Sequence, residues 1–337
     1  MSTSSEDVRA ELRPSEFGPP GAIAPFPLDT TEGSGLPSVH EPRARSQWEL
    51  ITRRFLRHRL AVISLLVLVV LYVVTSLPHL FAPYALNPRN LQLLAANHGP
   101  SGTHWLGTDE LGRDQTTRIM YAAHVSMTIG LMVAIVSTVL GTLVGAFAGY
   151  LGGGVDQFLM RLTDLFLIIP VIAIAAIAQQ GLLNRSFPVV GRVSTVALMI
   201  GVMSVLFWMP IARIVRGLFL SIKEKEFVDA ARASGASSKR IMFRHILPNV
   251  VGPIVVNATL VVAYAILLES ALSFLGFGVR PPAVSLGSML NQSESAVGTP
   301  QAYLIYYPGL VLLFIVLCVN FLGDGLRDAL DPQSVRH

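Results

Sequence analysis

Ionisable side chains inside apolar stretches are the groups of this sequence that could do chemistry, and Glu269 is the acidic one well inside such a stretch. An ionisable residue at membrane depth marks a candidate functional site, because its burial in lipid is costly. The Glu269 carboxyl could line a pathway or gate. The alternative is a structural hydrogen-bond partner near one end of the stretch, where burial costs less. The sequence leaves both interpretations open.

The remaining residues show no pattern that would support catalysis, metal binding or redox chemistry. The chain has 1 cysteine, Cys318, so neither an intramolecular disulfide nor a thiolate metal cluster can form. The histidines are scattered, without the spacing of a metal motif, and no nucleophile–base pair is apparent. A phosphate-binding G-x4-G-K-[ST] loop is also missing. We therefore predict no catalytic residue, no metal, no cofactor bound by this chain and no nucleic-acid partner.

The amino-acid composition indicates a membrane protein. Hydrophobic residues make up 52% of the chain and charged residues 14%, against about 25% charged in soluble domains, and the mean hydropathy is +0.57. A membrane-spanning helix needs about 20 mainly apolar residues, and about six runs reach this length. The runs are 60–80, 125–151, 158–182, 194–218, 253–274 and 303–322. The sequence predicts an all-α integral membrane protein with about six transmembrane helices.

Lysine and arginine placement predicts the orientation and the domain limits. Basic residues crowd the segment before the first run, which predicts a cytoplasmic N-terminus; they are Arg43, Arg45, Arg53, Arg54, Arg57 and Arg59. Six spans then return the C-terminus to the cytoplasm, and the loop 221–249 between the fourth and fifth runs is basic as well. Residues 1–45 are rich in Ser, Pro, Gly and Glu, which predicts a disordered cytoplasmic tail. The transmembrane domain is expected over 46–332, with a short tail at 333–337.

Two local patterns predict packing and capping. Gly141, Gly145 and Gly149 recur every four residues, which favours a close helix–helix seam over chance in a Gly-rich chain. Thr108 and Asp109 could cap a short helix before the second run.

The loop 221–249 reads as two short helices. In the first, over about 223–234, Phe227, Ala230, Ala231 and Ser234 fall at helical spacing and form a small apolar face. Such a loop could lie on the lipid surface, with its basic residues near anionic headgroups. The face is too small for firm burial in lipid, and its shape favours a protein groove.

Glycine, serine and proline residues that favour helix ends set the limits of these loop helices. Gly235 stops the first helix, because glycine tolerates the left-handed conformation. Ser237 or Ser238 can cap the second helix. Pro248 is expected to separate the second helix from the fifth span.

The loop resembles the coupling loop of ABC importer permeases, whose signature is E-A-A-x3-G-x9-I-x-L-P. Asp229 stands where Glu is commoner, and His245 stands at the general pattern's Ile. The run R-H-I-L-P-N over 244–249 is frequent in the peptide-importer branch. Further similar blocks are WLGTDELGRD at 105–114, ESALSFLGFG at 269–278 and LGDGLRDALDP at 322–332. The chain resembles the second, C-type permease of the dipeptide, oligopeptide and nickel importers over about 48–332.

This resemblance implies a multi-pass subunit of a bacterial cell membrane that forms half of a translocation pathway. It implies a second homologous permease, two cytoplasmic ATPase subunits that carry ATP and Mg, an extracytoplasmic substrate-binding protein, and membrane lipid as partners. If Glu269 lines the pathway or gate, its carboxyl could contact a peptide's amino terminus. The coupling residues implied are Asp229, Ala230, Ala231, Gly235, Leu247 and Pro248, and the apolar face of the loop adds Phe227 to this set.

The substrate class and the mode of transport have alternatives. Peptides are the expected cargo, whereas nickel or another small solute stays possible within the same family. A secondary transporter would show internal repeats, broken helices and buried charges for ion coupling. We see no clear repeat and almost no intramembrane charge, and the coupling loop argues against both a secondary transporter and a membrane enzyme.

Overall fold

The computed structural model of the chain describes residues 47–86, 98–168, 170–184 and 194–330. The two predicted tails, 1–45 and 333–337, lie outside these ranges. The described residues form helices and one isolated bridge, between Thr108 and Asp114, but no strand. The helical fold predicted from composition is therefore confirmed.

The helices are α1 Gln47–Arg57, α2 Arg59–Ser76, α3 Pro78–Phe81, α4 Gln115–Leu151, α5 Gly153–Ile168, α6 Val171–Asn184, α7 Thr195–Ile222, α8 Glu226–Ala233, α9 Ser238–Arg240, α10 Leu247–Phe274, α11 Leu286–Gln292 and α12 Tyr303–Leu330. A π-helical turn, Ile241–Ile246, joins α9 to α10, and a 3-10 turn, Glu294–Ala296, follows α11. Within the described ranges, 5 helical segments are long and apolar enough to cross a membrane, with α9, the π turn and α10 counted as one.

The third predicted span differs from the expectation of one straight helix. Its residues form α5 and α6, and the segments Gly153–Phe166 and Val171–Ala178 meet at 83°. Pro170 opens α6, since the N–H of Ile174 donates to the Pro170 carbonyl (3.1 Å). A proline ring clashes with the preceding helical turn and removes a backbone donor, so a helix readily restarts at such a residue. Counting this bent pair as one span gives 6 crossings, as predicted.

The predicted glycine seam packs α4 against α7. Gly141, Gly145 and Gly149 are all buried. A Cβ added to Gly141 would lie 2.6 Å from the Trp208 carbonyl oxygen, and one added to Gly149 would lie 2.7 Å from the Phe219 Cβ. Such distances leave no room for a side chain, so the small residues allow the two helix backbones to touch. The seam interpretation is confirmed, with α7 as the partner helix.

Ion pairs hold α5 to the end of α7 that precedes α8. The Arg216 Nη2 donates to Asp156 Oδ2 (2.6 Å). One turn earlier on α7, Arg213 pairs with Asp164. A bidentate arginine–carboxylate pair adds geometric specificity to charge attraction. The α5 helix is thereby fixed to α7 by side chains as well as by its short connection to α4.

Candidate functional site

The short helix α8 has one anchored face and one open face. Val228 is fully buried and belongs to a cluster that includes Phe219 at the end of α7 and Ile241 in the π turn. Phe227 is 44% exposed, and Ala230 next to it on the helix surface is exposed too. The open face is apolar and small, as the spacing predicted. Burial of Val228 was not predicted, and it is this contact that fixes the orientation of α8.

The turn after α8 has the predicted left-handed glycine. Gly235 has φ +77°. The N–H of Ala236 donates to the Ala231 carbonyl (3.1 Å), and the N–H of Gly235 donates to the Arg232 carbonyl (3.0 Å). This pattern closes a helix whose next residue is left-handed. Ser237 then caps α9, because its hydroxyl accepts from the N–H of Arg240 (3.4 Å).

Pro248 does not separate the second loop helix from the fifth span, so that expectation was wrong. The π turn runs directly into α10, and Pro248 lies in the first turn of α10. Proline lacks an N–H donor and crowds the preceding helical turn, and the wider π turn just before Pro248 accommodates it within the continuous helix. The N–H of Leu247 donates to the Met242 carbonyl five residues earlier. The loop is therefore continuous with α10 and transmits its position to that helix.

The structure places the predicted coupling residues together on the segment 223–249, which we call the coupling segment. Asp229 is exposed and pairs with Arg232 (Oδ1–Nη1 2.9 Å). Gly235 and Pro248 are exposed, and Ala231 and Leu247 are half-buried. Most of these side chains lie on the surface, where another protein could contact them.

Glu269 lies far from the coupling segment, near the opposite end of α10. Its side chain is fully buried. The hydroxyls of Ser273 (2.6 Å) and Ser126 (2.9 Å) donate to its carboxyl oxygens. Ser270 is within 3.4 Å of the same carboxyl group. In this conformation the carboxyl is occupied by hydrogen bonds, so contact with a transported molecule would require this network to open.

The segment after α10 folds back on these serines. We call residues 275–292 the outer hairpin; it ends in α11. The N–H of Val279 donates to Ser273 Oγ (3.2 Å), and the N–H of Leu286 donates to Ser126 Oγ (3.2 Å). The hydroxyl of Ser285, the N-cap of α11, lies 3.2 Å from Ser273 Oγ.

A second polar network is centred on Asp109, in the loop before α4. Asp109 accepts from the N–H groups of Leu111 (3.0 Å) and Arg113 (2.8 Å) and from Arg113 Nε (2.7 Å). The buried guanidinium of Arg118 also pairs with Asp109. The Arg118 Nη2 donates to Gln292 Oε1 (2.6 Å), which links α4 to the end of α11.

The short helix that Thr108 and Asp109 were expected to cap does not form, since the described residues 98–114 contain no helix. Asp114 caps α4, with its Oδ2 accepting from the N–H of Thr117 (2.8 Å). Thr108 pairs with Asp114 as a bridge instead. Asp109 instead accepts hydrogen bonds from the backbone of the turn and pairs with Arg113 and Arg118.

No group of three or more His, Cys, Asp or Glu residues in the described part of the chain is placed to hold a metal ion. The described residues offer two further arrangements: the exposed surface of the coupling segment and a buried polar framework near the other end of α10.

Comparison with known proteins agrees with this arrangement. Residues 141–336 match the family described as "Binding-protein-dependent transport system inner membrane component". Residues 46–100 match the N-terminal transmembrane domain of oligopeptide transport permease C. The oligopeptide transport system permease protein OppC of Mycobacterium tuberculosis is 41% identical over 291 residues, covering 86% of this chain and 96% of the relative. The OppC protein of Haemophilus influenzae is 35% identical over 290 residues, covering 86% and 90%. The chain belongs to the family of inner membrane components of binding-protein-dependent transport systems, among the oligopeptide transport permeases.

Proposed function

We propose that this chain forms half of the translocation pathway of an ATP-driven oligopeptide importer and that α8 seats in a groove of an ATPase subunit. The observation that carries the proposal is the two-sided α8: Val228 fixes the helix to the bundle, while Phe227 and Ala230 offer a small apolar face. A helix laid into a groove by such a face is a recurring mode of protein recognition.

The division of labour follows from what this chain offers. Two ATPase subunits hold ATP and Mg and hydrolyse the nucleotide, since this sequence has no phosphate-binding loop and offers no catalytic residue or cofactor site. A second homologous permease completes the pathway, and an extracytoplasmic binding protein delivers the substrate. The surrounding partner is membrane lipid.

The orientation of the chain in the membrane is proposed from the placement of its basic residues. The coupling segment carries Lys223, Lys225, Lys239, Arg240 and Arg244, and cytoplasmic loops are enriched in such residues. The coupling segment and both termini therefore face the cytoplasm of a bacterium, and the outer hairpin faces away from it.

The mechanical route begins at α8 and continues through rigid contacts. Val228 lies in one buried cluster with Ile241 of the π turn and Phe219 of α7, so a push on α8 acts on the π turn and, through that cluster, on α7. Because the glycine seam packs α7 against α4, movement of α7 also displaces α4. The π turn joins the coupling segment directly to α10, so α10 moves with the coupling segment. Rigid-body movement of packed helices is how alternating access proceeds in transporters. The coupling residues are Phe227, Asp229, Ala230, Ala231, Gly235, Leu247 and Pro248, with Glu269 as the candidate gate residue.

Oligopeptides are favoured over nickel as cargo because the relatives described above are named oligopeptide permeases. The test is purification of the chain with its co-purifying proteins, followed by reconstitution into liposomes. We expect labelled oligopeptides to accumulate only with ATP and with the binding protein present. Accumulation without ATP, driven by an ion gradient, would make the chain a secondary transporter instead. Accumulation of nickel but not of peptides would support the other branch of the family.

Gly235→Val is expected to uncouple ATP hydrolysis from transport. An added Cβ meets nothing within 4 Å at this position, so the effect comes from the backbone alone. A strained φ for a β-branched residue costs about 1–3 kcal/mol, which predicts a drop of about fivefold or more in peptide taken up per ATP hydrolysed. The ratio is measured in proteoliposomes at matched subunit amounts. Gly235→Asn is the control, because Asn tolerates positive φ, and equal losses in both variants would refute the conformational explanation.

A further inference from the structure

We propose that Glu269 is a positioning residue that fixes the outer hairpin to α4, so that the hairpin and α4 move as one body. The proposal rests on the proposed function only where it links this movement to transport. It extends the mechanical route from the coupling segment, through α7 and α4, to the opposite end of the bundle. Its basis is a pair of polar attachments, one at each end of α11.

The first attachment is built around Glu269 and joins three elements. Ser126 belongs to α4, Ser273 to α10, and the N–H of Leu286 to the outer hairpin. Each serine hydroxyl donates its proton to the Glu269 carboxyl, which leaves the serine oxygen free to accept a backbone N–H of the hairpin. The two carboxyl oxygens of Glu269 thus each accept from one serine, Oε1 from Ser273 and Oε2 from Ser126, which sets the direction of these hydrogen bonds.

Close backbone packing holds the hairpin on α10. A Cβ added to Gly287 would lie 2.5 Å from the Ser270 Cα, and a Cβ added to Gly278 would lie 2.5 Å from the Ser273 Cβ. The hairpin therefore rests directly on the turn of α10 that presents Glu269. Such contacts position the hairpin, but they do not tie it to α4.

The second attachment ties the far end of α11 to α4 again. Gln292, the last residue of α11, accepts from the buried Arg118, which Asp109 holds in place. Arg118 and Ser126 are eight residues apart on α4, about 12 Å along the helix. Leu286 and Gln292 are about 9 Å apart along α11. The two spacings are similar, so α11 is attached to α4 at both of its ends.

Loss of one attachment should loosen the hairpin without unfolding the bundle. Ser126→Ala removes the acceptor of the Leu286 N–H and leaves the apolar packing of α4 intact. In Glu269→Gln, one carboxyl oxygen becomes an amide donor, so one of the two serines loses its acceptor. Loss of a buried hydrogen bond leaves its former partner unsatisfied, so amide exchange in the hairpin should rise about tenfold.

The experiment is hydrogen exchange read by mass spectrometry on the complete transporter in lipid nanodiscs. We expect peptides within 276–292 to exchange about tenfold faster in Ser126→Ala and in Glu269→Gln, while peptides from α7 stay unchanged. Ser137→Ala is the matched control, because Ser137 is also buried on α4 but its hydroxyl donates to the Val133 carbonyl of its own helix (2.6 Å). Unchanged exchange in both test variants, or equal acceleration in Ser137→Ala, would overturn the proposal.

The link to transport has a separate readout. In the same preparations, Ser126→Ala should keep basal ATP hydrolysis and lose most ATP-driven uptake, whereas Ser137→Ala keeps both. Full uptake with a loosened hairpin would overturn the mechanical link. If the wild-type complex proved not to be an ATP-driven importer at all, the exchange result would still decide whether Glu269 positions the hairpin, so the two failures are distinguishable.

Discussion

Gly145→Val is expected to abolish accumulation of the folded chain. A Cβ at Gly145 would lie 2.8 Å from the Val215 Cβ and 3.0 Å from the Arg216 backbone nitrogen, with the Ala212 carbonyl closer still. Two of these three are backbone atoms, which cannot rotate away as a flexible side chain does. The α4 and α7 backbones would have to separate along their whole seam. Overpacking in a core costs about 1–3 kcal/mol even where side chains can adjust, and here the cost should lie at or above the upper end of that range.

The measurement is the amount of monodisperse protein recovered in mild detergent by size-exclusion chromatography. We expect at least a tenfold loss for Gly145→Val, in line with a destabilisation of more than about 1.4 kcal/mol. Gly201→Val is the control, because Gly201 lies inside α7 and an added Cβ there meets nothing within 4 Å. Similar recovery of the two variants would mean that the seam is not essential for the fold.

Phe227→Ala is expected to leave the chain folded and to weaken its association with the ATPase subunit by about thirtyfold. Aromatic anchors at the centre of an interface commonly contribute about 2 kcal/mol or more, which corresponds to that factor. Phe227 is 44% exposed in the isolated chain, so truncation removes little of the chain's own packing. Association is measured by titrating the purified ATPase onto the permease in nanodiscs and following binding and ATP-driven uptake together.

Phe243→Ala provides a matched control for this second prediction. Phe243 is 43% exposed and lies in the π turn of the same coupling segment, beyond α8. Truncation there removes an aromatic ring of equal exposure from outside the proposed docking face. We expect little change in ATPase binding. If Phe243→Ala proved as damaging as Phe227→Ala, the docking face would have to be extended or relocated.

Local signals in the sequence were enough to predict the spans and the turn after α8. Apolar length marks a membrane helix, and the requirement for positive φ at Gly235 is a property of the residue itself. The break of the third span also had a local signal, Pro170, but membrane helices tolerate prolines when neighbouring groups satisfy the backbone. Composition alone could not say whether that run bends.

The orientation of α8 and the cap of α4 depend on neighbours distant in the sequence. Phe227 and Val228 are adjacent and both apolar, and it is the contact with Phe219 and Ile241 that turns Val228 inward. Asp109 was expected to cap a short helix before α4, but it pairs with Arg118, and Asp114 caps α4.

Sequence reasoning kept a structural hydrogen-bonding role open for Glu269 but missed the partners that form the buried polar framework. The partners Ser126 and Glu269 are 143 residues apart, and Arg118 and Gln292 are 174 residues apart. No periodicity connects such positions. A usable signal was nevertheless present, because serines recur close to Glu269 in an otherwise apolar region, and a buried carboxyl needs hydroxyl donors.

The bend between α5 and α6 has a consequence for the biosynthesis of this chain. The two helices have 16 and 14 residues, about 24 and 21 Å, and each is shorter than the roughly 30 Å hydrocarbon layer. A helix break at that depth is stable only where protein or water covers its polar backbone. In the proposed complex the second permease would cover the break, so a copy of this chain produced without that permease should have a shorter cellular lifetime.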